Sequence, residues 1–177
     1  MLDDYSFEKF EENSFPLAYL ITFRTYGTWL HGDERGSFSR RDINRFGARF
    51  FPPNDSLRKA MQRASNGEEF TLNGAMRVVV HRASCDICER RGYELLAVNV
   101  RTNHVHAVVA AQRAPERIAD ELKAHGTKFL REAKLIGPND RVWARGRSRR
   151  YLWKPEHVAA AIEYVMHGQG DIPFDLP

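Results

Sequence analysis

Thiols are scarce in this chain, whose 177 residues include only Cys85 and Cys88. They lie three apart within MRVVVHRASCDICERRGY, a stretch that reads as helix. A structural zinc site takes four ligands, and no second Cys or His pair at a suitable spacing accompanies these two. The expectation is therefore one buried and one partly exposed thiol on a helix. Long apolar runs are missing as well: no stretch approaches the roughly 20 apolar residues that cross a bilayer. The N-terminus opens with Asp3, Asp4 and Glu8 instead of a basic and then apolar leader. A cytoplasmic location without a membrane partner is expected from both absences. No internal repeat or low-complexity tract divides the sequence, and its length suits a single domain over residues 1–177.

Acidic residues are absent from one conspicuous stretch, RVWARGRSRRYLWK. It carries Arg141, Arg145, Arg147, Arg149, Arg150 and Lys154, with Trp143, Tyr151 and Trp153 interleaved. Arginines contact phosphates and aromatic rings stack on unpaired bases, so this composition suits a nucleic-acid groove. A solvated basic strand is the plainer reading. The net charge of +4 is thus unevenly spread, and a weaker basic cluster joins Arg35, Arg40, Arg41, Arg45 and Arg49 to Phe38, Phe46, Phe50 and Phe51.

Along the chain, LAYLITFRT from Leu17 to Thr25 is β-branched and aromatic and reads as a strand behind an N-terminal extension, 1–16. A Gly-, Arg- and Phe-rich insertion over 27–54 follows, closed by Pro52 and Pro53. Helices are expected near 56–65 and from Asn73 to Arg91, where Gly92 ends the second. Strands from Tyr93 to Val100 and from His104 to Ala111 are separated only by the turn RTN, which forces an antiparallel hairpin. Pro115 starts a helix with Ile118, Leu122, Phe129 and Leu130 on its apolar face, and Gly137-Pro138 closes that unit. One or two short strands fall in the basic stretch, and Pro155 opens a last helix over 155–168. The order strand, helix, strand, strand, helix, strand, helix predicts an α+β, ferredoxin-like (split βαβ) antiparallel sheet. Its helices lie on one face, with an appended C-terminal helix.

Alternation along a strand puts His104 and His106 on one face, with Val105 on the other. Two imidazoles on a stiff strand form half of a site for a divalent ion, although an H-x-H pair alone is a weak signal. In the last helix, Val158, Ile162, Val165 and Met166 form an apolar stripe, and Tyr164 stands about 200° around the axis from Ile162. That tyrosine is available to a ligand or a neighbouring subunit, or is simply a half-exposed surface residue.

NHVHAVV on a strand, followed two elements later by AAIEYVMHGQG, resembles the HUH single-tyrosine transposases of small insertion sequences and the related REP-associated tyrosine transposases. TYGTWLHGDERGSF resembles one branch of that group. The likeness spans about Leu17 to Gly170. It implies that His104 and His106 are the metal-binding pair and that Tyr164 is the nucleophile. It also implies a third, polar ligand one helical turn after the tyrosine. Gly168 occupies that place, so Gln169 is the preferred substitute and His167 its competitor.

The implied reaction is cleavage and rejoining of hairpin-forming single-stranded DNA through a 5′-phosphotyrosine, assisted by magnesium or manganese and without a small-molecule cofactor. Phosphate contacts are expected from Arg145, Arg147, Arg149 and Arg150, with Arg141 and Lys154 alongside. Trp143 and Trp153 serve stacking or core packing, and Tyr151 is the next candidate nucleophile. A possible homodimer follows from relatives that share active sites. Two alternatives stay open, a DNA- or RNA-hairpin-binding protein that does not cut and a replication or relaxase-type nuclease.

Overall fold

The computed structural model describes residues 15–28 and 69–168 and, between them, the backbone of 37–38 and 50–51 and positions 54, 56 and 59. Of the expected helix over 56–65 only positions 56 and 59 are described, both helical, and the rest of it and most of the 27–54 insertion lie outside the described residues. Within that insertion, β2 (Ser37–Phe38) and β3 (Phe50–Phe51) form an antiparallel pair.

The principal sheet is built from β1 (Ala18–Thr25), β4 (Glu94–Val100), β5 (His104–Ala110) and β6 (Trp143–Leu152). Its strand order is β4-β5-β1-β6, and every neighbouring pair is antiparallel. With α1 (Gly74–Arg91) between β1 and β4 and α2 (Pro115–Glu132) between β5 and β6, this is the ferredoxin-like arrangement expected from the element order. The one departure in the sheet is β6, a single ten-residue strand where one or two short ones were expected. Pairing along β1 from Ala18 to Thr25 holds it extended across its Arg-rich centre, which local sequence alone could not show.

Local signals explain where the helices begin and end. Asn73 caps α1 by accepting from the Met76 amide at 3.0 Å, and Gly92, at φ 67°, takes the left-handed turn that lets two amides reach the last carbonyls. Pro115 occupies the first turn of α2, where a missing N–H costs nothing. Cys85 is exposed and Cys88 buried on α1, and burial pushes the Cys88 thiol up to about 12, which keeps it protonated.

One face of the sheet meets α1 and α2. Tyr19, Ile21 and Phe23 from β1, Val105, Ala107 and Val109 from β5, and Ile118, Leu122 and Leu130 from α2 are buried together there. Each large side chain so buried contributes about 1.5–3 kcal/mol relative to exposure. Trp143 belongs to this core: its Nε1 donates to the Lys123 carbonyl at 2.9 Å, and its ring meets Phe23 edge-on at 5.1 Å. Gly126 makes room for it, since a Cβ there would lie 3.3 Å from the indole.

The opposite face carries α3 (Pro155–His167). Ala161 and Val165 are buried against Ala18, Ala97, Val108 and Leu152, with Val158 and Ile162 packed alongside. Met166, expected in the apolar stripe, is instead 36% exposed. The buried arc runs through Val158, Ala161, Ile162 and Val165, and Met166 and Tyr164 flank it on opposite sides at about 100°.

Candidate active site

Helix α3 covers only part of its face of the sheet. The covered end is apolar, with Leu20, Val108, Ala110 and Leu152, whereas the other end of the same strands presents Thr22, His104 and His106. His106 is in register with Thr22 on one side and Asn99 on the other. These three polar residues cross the sheet in one row.

Each histidine ring is held through Nδ1. His106 Nδ1 lies 2.7 Å from Thr22 Oγ1, and His104 Nδ1 lies 2.6 Å from Asn103 Oδ1. An amide oxygen only accepts, so His104 must donate from Nδ1, which places its basic lone pair on Nε2. Metal-binding imidazoles are commonly oriented in this way by a partner on the second nitrogen. The two rings stand at 79° to one another with centroids 4.6 Å apart. This donor set fits two adjacent positions of a divalent-ion site. Among the described residues no group of three or more His, Cys, Asp and Glu side chains is arranged around a metal position.

Tyr164 closes the arrangement from α3. Its ring meets that of His106 edge-on, with centroids 5.6 Å apart, while the residue remains 45% exposed. Asn99 fixes the helix at this point: its Nδ2 donates to the Val165 carbonyl at 2.9 Å, one residue beyond the tyrosine. The strand neighbour of His106 therefore also anchors the turn of helix that carries Tyr164.

Gly168 lies against the tyrosine. A Cβ at this position would fall 2.9 Å from Tyr164 Cδ2 and 2.9 Å from the Tyr164 carbonyl oxygen, so no larger residue fits without a shift. His167 is exposed, and Gln169 lies outside the described residues.

The basic stretch is divided by the pleat of β6. Arg147 and Arg149 pair with Phe23 and Ile21, facing α2, where Arg147 Nη2 lies 2.9 Å from Asp120 Oδ2 and Arg149 Nε lies 2.6 Å from Glu116 Oε1. Ser148 and Arg150 pair with Thr22 and Leu20 on the face of the histidines. Tyr151 is in register with Tyr19 and meets its ring edge-on at 5.4 Å, on the α2 face and away from His104 and His106. Trp153 stacks on Tyr151 at 6.4 Å, the exposed Arg141 lies 5.8 Å from the Tyr26 ring, and Arg145 is exposed. Lys154 supplies the carbonyl that accepts the first amides of α3.

Sequence reasoning missed several participants. Thr22 and Asn99 were strand residues without a motif, although alternation along β1 and β4 could have assigned their face. Lys123, which no sequence signal singled out, lies on the α2 face away from the histidines: it is buried and its Nζ donates to the carbonyls of Ala144 and Gly146 at 3.0 and 2.8 Å. Burial beside Arg147 lowers its pKa to about 8.

The family model described as "Transposase IS200 like" matches residues 64–166, a span that contains His104, His106 and Tyr164. The chain belongs to the IS200-like transposase family. Among curated protein sequences, none matches this transposase. Two solved structures are similar to it in shape. One is described as a REP-associated tyrosine transposase bound to a REP hairpin, at 11% identity and a TM-score of 0.46, covering 91% of this chain and 72% of that one. The other is a protein designated a transposase in Deinococcus radiodurans R1, at 16% identity and a TM-score of 0.44, covering 92% of this chain and 97% of that one.

Proposed function

We propose that this IS200-like transposase binds hairpin-forming single-stranded DNA and cuts and rejoins it, with Tyr164 as the nucleophile beside His104 and His106. The observation that carries this reading is the edge contact of the Tyr164 ring with His106 at 5.6 Å, beyond the end of the sheet on which α3 packs. A phenol set against an oriented imidazole and itself 45% exposed supports a role as nucleophile.

In the proposed step the Tyr164 oxygen forms a bond to phosphorus, and the bond from phosphorus to the departing 3′ oxygen breaks. The phenol proton leaves to solvent and the 3′ oxygen gains one, giving a 5′-phosphotyrosine and a free 3′-hydroxyl. Attack by another strand's 3′-hydroxyl reverses the step and rejoins DNA with no net loss of phosphodiester bonds. A divalent ion, magnesium or manganese, held by His104 and His106 would polarise a phosphate oxygen and offset charge in the transition state. Gln169 is the proposed third ligand and His167 its competitor, since Gly168 has no donor to offer. Thr22 and Asn103 keep the imidazoles oriented, and Asn99 holds the helix turn that presents the phenol. The nucleophile and the histidine pair are brought together within one chain.

The test incubates the protein with labelled single-stranded DNA from the borders of its gene and manganese or magnesium, then separates covalent adducts under denaturing conditions. An adduct that needs the ion and disappears in Tyr164→Phe supports the reading. A second reading, a hairpin-binding protein that does not cut, is favoured by Gly168 in place of a ligand. It predicts binding unaffected by EDTA and no adduct with either ion.

A further inference from the structure

The TYGT segment at the end of β1 takes no part in the proposed chemistry, yet its two hydroxyls are directed at the turn beside His104. Gly27 has a φ of 75°, a left-handed conformation that residues with a Cβ rarely adopt, and there the chain turns out of β1. Thr28 is brought back onto Thr25. Its Oγ1 donates to the Thr25 carbonyl at 3.0 Å and lies 3.2 Å from Thr25 Oγ1. Both threonines are buried, at 1% and 8% exposure, so their hydroxyls need partners within the protein. They share one, the main-chain carbonyl of Asn103.

That oxygen accepts from the Thr25 amide at 2.9 Å, with Thr25 Oγ1 at 3.1 Å and Thr28 Oγ1 at 3.3 Å. A carbonyl has two lone pairs, so the amide and one hydroxyl fill it while the other hydroxyl bonds within the threonine pair. The rest of the RTN turn is held as well. Arg101 N–H donates to the His104 carbonyl at 2.8 Å, and Leu72 N–H donates to the Thr102 carbonyl at 2.7 Å. Asn103 therefore has a fixed main chain although it precedes β5. Its side-chain oxygen, only a short side chain away, is the acceptor for His104 Nδ1 at 2.6 Å.

From this relay we infer that Thr25 and Thr28 are positioning residues for His104: by fixing Asn103 they keep the imidazole protonated on Nδ1, with the Nε2 lone pair presented to a divalent ion. The inference rests on the reading of His104 as a metal ligand and adds what sets its tautomer. His106 is oriented separately, because its Nδ1 partner is the Thr22 hydroxyl, which can donate or accept. The threonine pair should thus govern one imidazole and not the other. A clamp that only stapled the hairpin would disturb both rings or neither.

The experiment records long-range proton–nitrogen correlation spectra of metal-free protein carrying nitrogen-15 histidine, at about pH 8, above the ordinary imidazole pKa of about 6.5. Each ring's pattern shows which nitrogen holds the proton, and the His104 signal is the one lost in His104→Ala. Wild-type His104 should be protonated on Nδ1. Thr25→Val and Thr28→Val, each exchanging a hydroxyl for a methyl, should turn His104 into a mixture of tautomers and leave the His106 pattern unchanged. Thr28→Ser keeps the hydroxyl and should match wild type. Manganese titrated into the same proteins without DNA should bind about tenfold more weakly to Thr28→Val, the lower end of the loss seen when a group behind a metal-binding histidine is removed. Wild-type His104 protonated on Nε2 overturns the inference even if no variant folds. An unchanged His104 tautomer or an unchanged manganese affinity in Thr28→Val also overturns it. Tautomers that behave as expected in a protein that binds no manganese sink only the metal reading.

Discussion

The two faces of the sheet obey the same alternation, yet among the described residues one is fully packed and the other only in part. Under α1 and α2, Phe23, Ile21, Val105 and Leu122 are buried, and the charges that approach, Arg147, Arg149 and Lys123, are taken up by carboxylates or backbone carbonyls of neighbouring elements. Under α3 the apolar packing stops at Val165 and Val108, and the strands continue into Thr22, His104 and His106, with Tyr164 at the border. A polar row that folding does not require to be covered is where chemistry can be placed. Similar residue types are structural on one side and candidates for function on the other.

That contrast is broken most severely by changes on the open face. His106→Ala and Tyr164→Phe should each abolish adduct formation while leaving a folded protein. Because both residues meet within one chain, mixing the two inactive variants should restore nothing. Recovered activity in the mixture would show the tyrosine working on a partner's histidines and would favour the homodimer. A smaller effect is expected at Gly168, where Gly168→Gln forces the Tyr164 ring or the helix end to move. Displacement on that scale should slow adduct formation about 10- to 100-fold. A faster reaction would mean that position 168 accepts a ligand, as the family pattern implies.

The closed face should answer in stability alone. Lys123 has a folded pKa of about 8 against an ordinary 10.5, so between those values the unfolded chain holds a proton that the folded chain has released. Wild-type stability should therefore rise with pH relative to Lys123→Met across pH 8 to 10.5. The gain is on the order of 1 kcal/mol after allowance for solvent screening. Urea denaturation of both proteins at several pH values measures it, and parallel curves would mean that the ammonium is not desolvated.

Much of the fold was legible because its signals are local. Asn73 and Gly92 mark the ends of α1, Pro115 and Pro155 open α2 and α3, and the three-residue turn before His104 dictates a hairpin. His104, His106 and Tyr164 were found from alternation, helical phase and a family likeness. What stayed hidden depends on pairing between distant strands. Nothing local tells that Arg24 will sit opposite His104, that Asn99 will hold the carbonyl after Tyr164, or that neighbouring arginines of β6 will be sent to opposite faces. Met166 was misjudged for a related reason: a helical stripe has a phase, and only contact with Val108 and Leu152 sets where its centre lies.

The most direct test of the central claim is to find which side chain carries the DNA. Trypsin leaves residues 151–177 as one peptide, because no Lys or Arg follows Lys154 and Pro155 protects that bond, so Tyr151 and Tyr164 remain together. Fragmentation of the nucleotide-bearing peptide after reaction with manganese separates them. The account predicts the added mass on Tyr164. The same mass on Tyr151, or on any other residue, would contradict it.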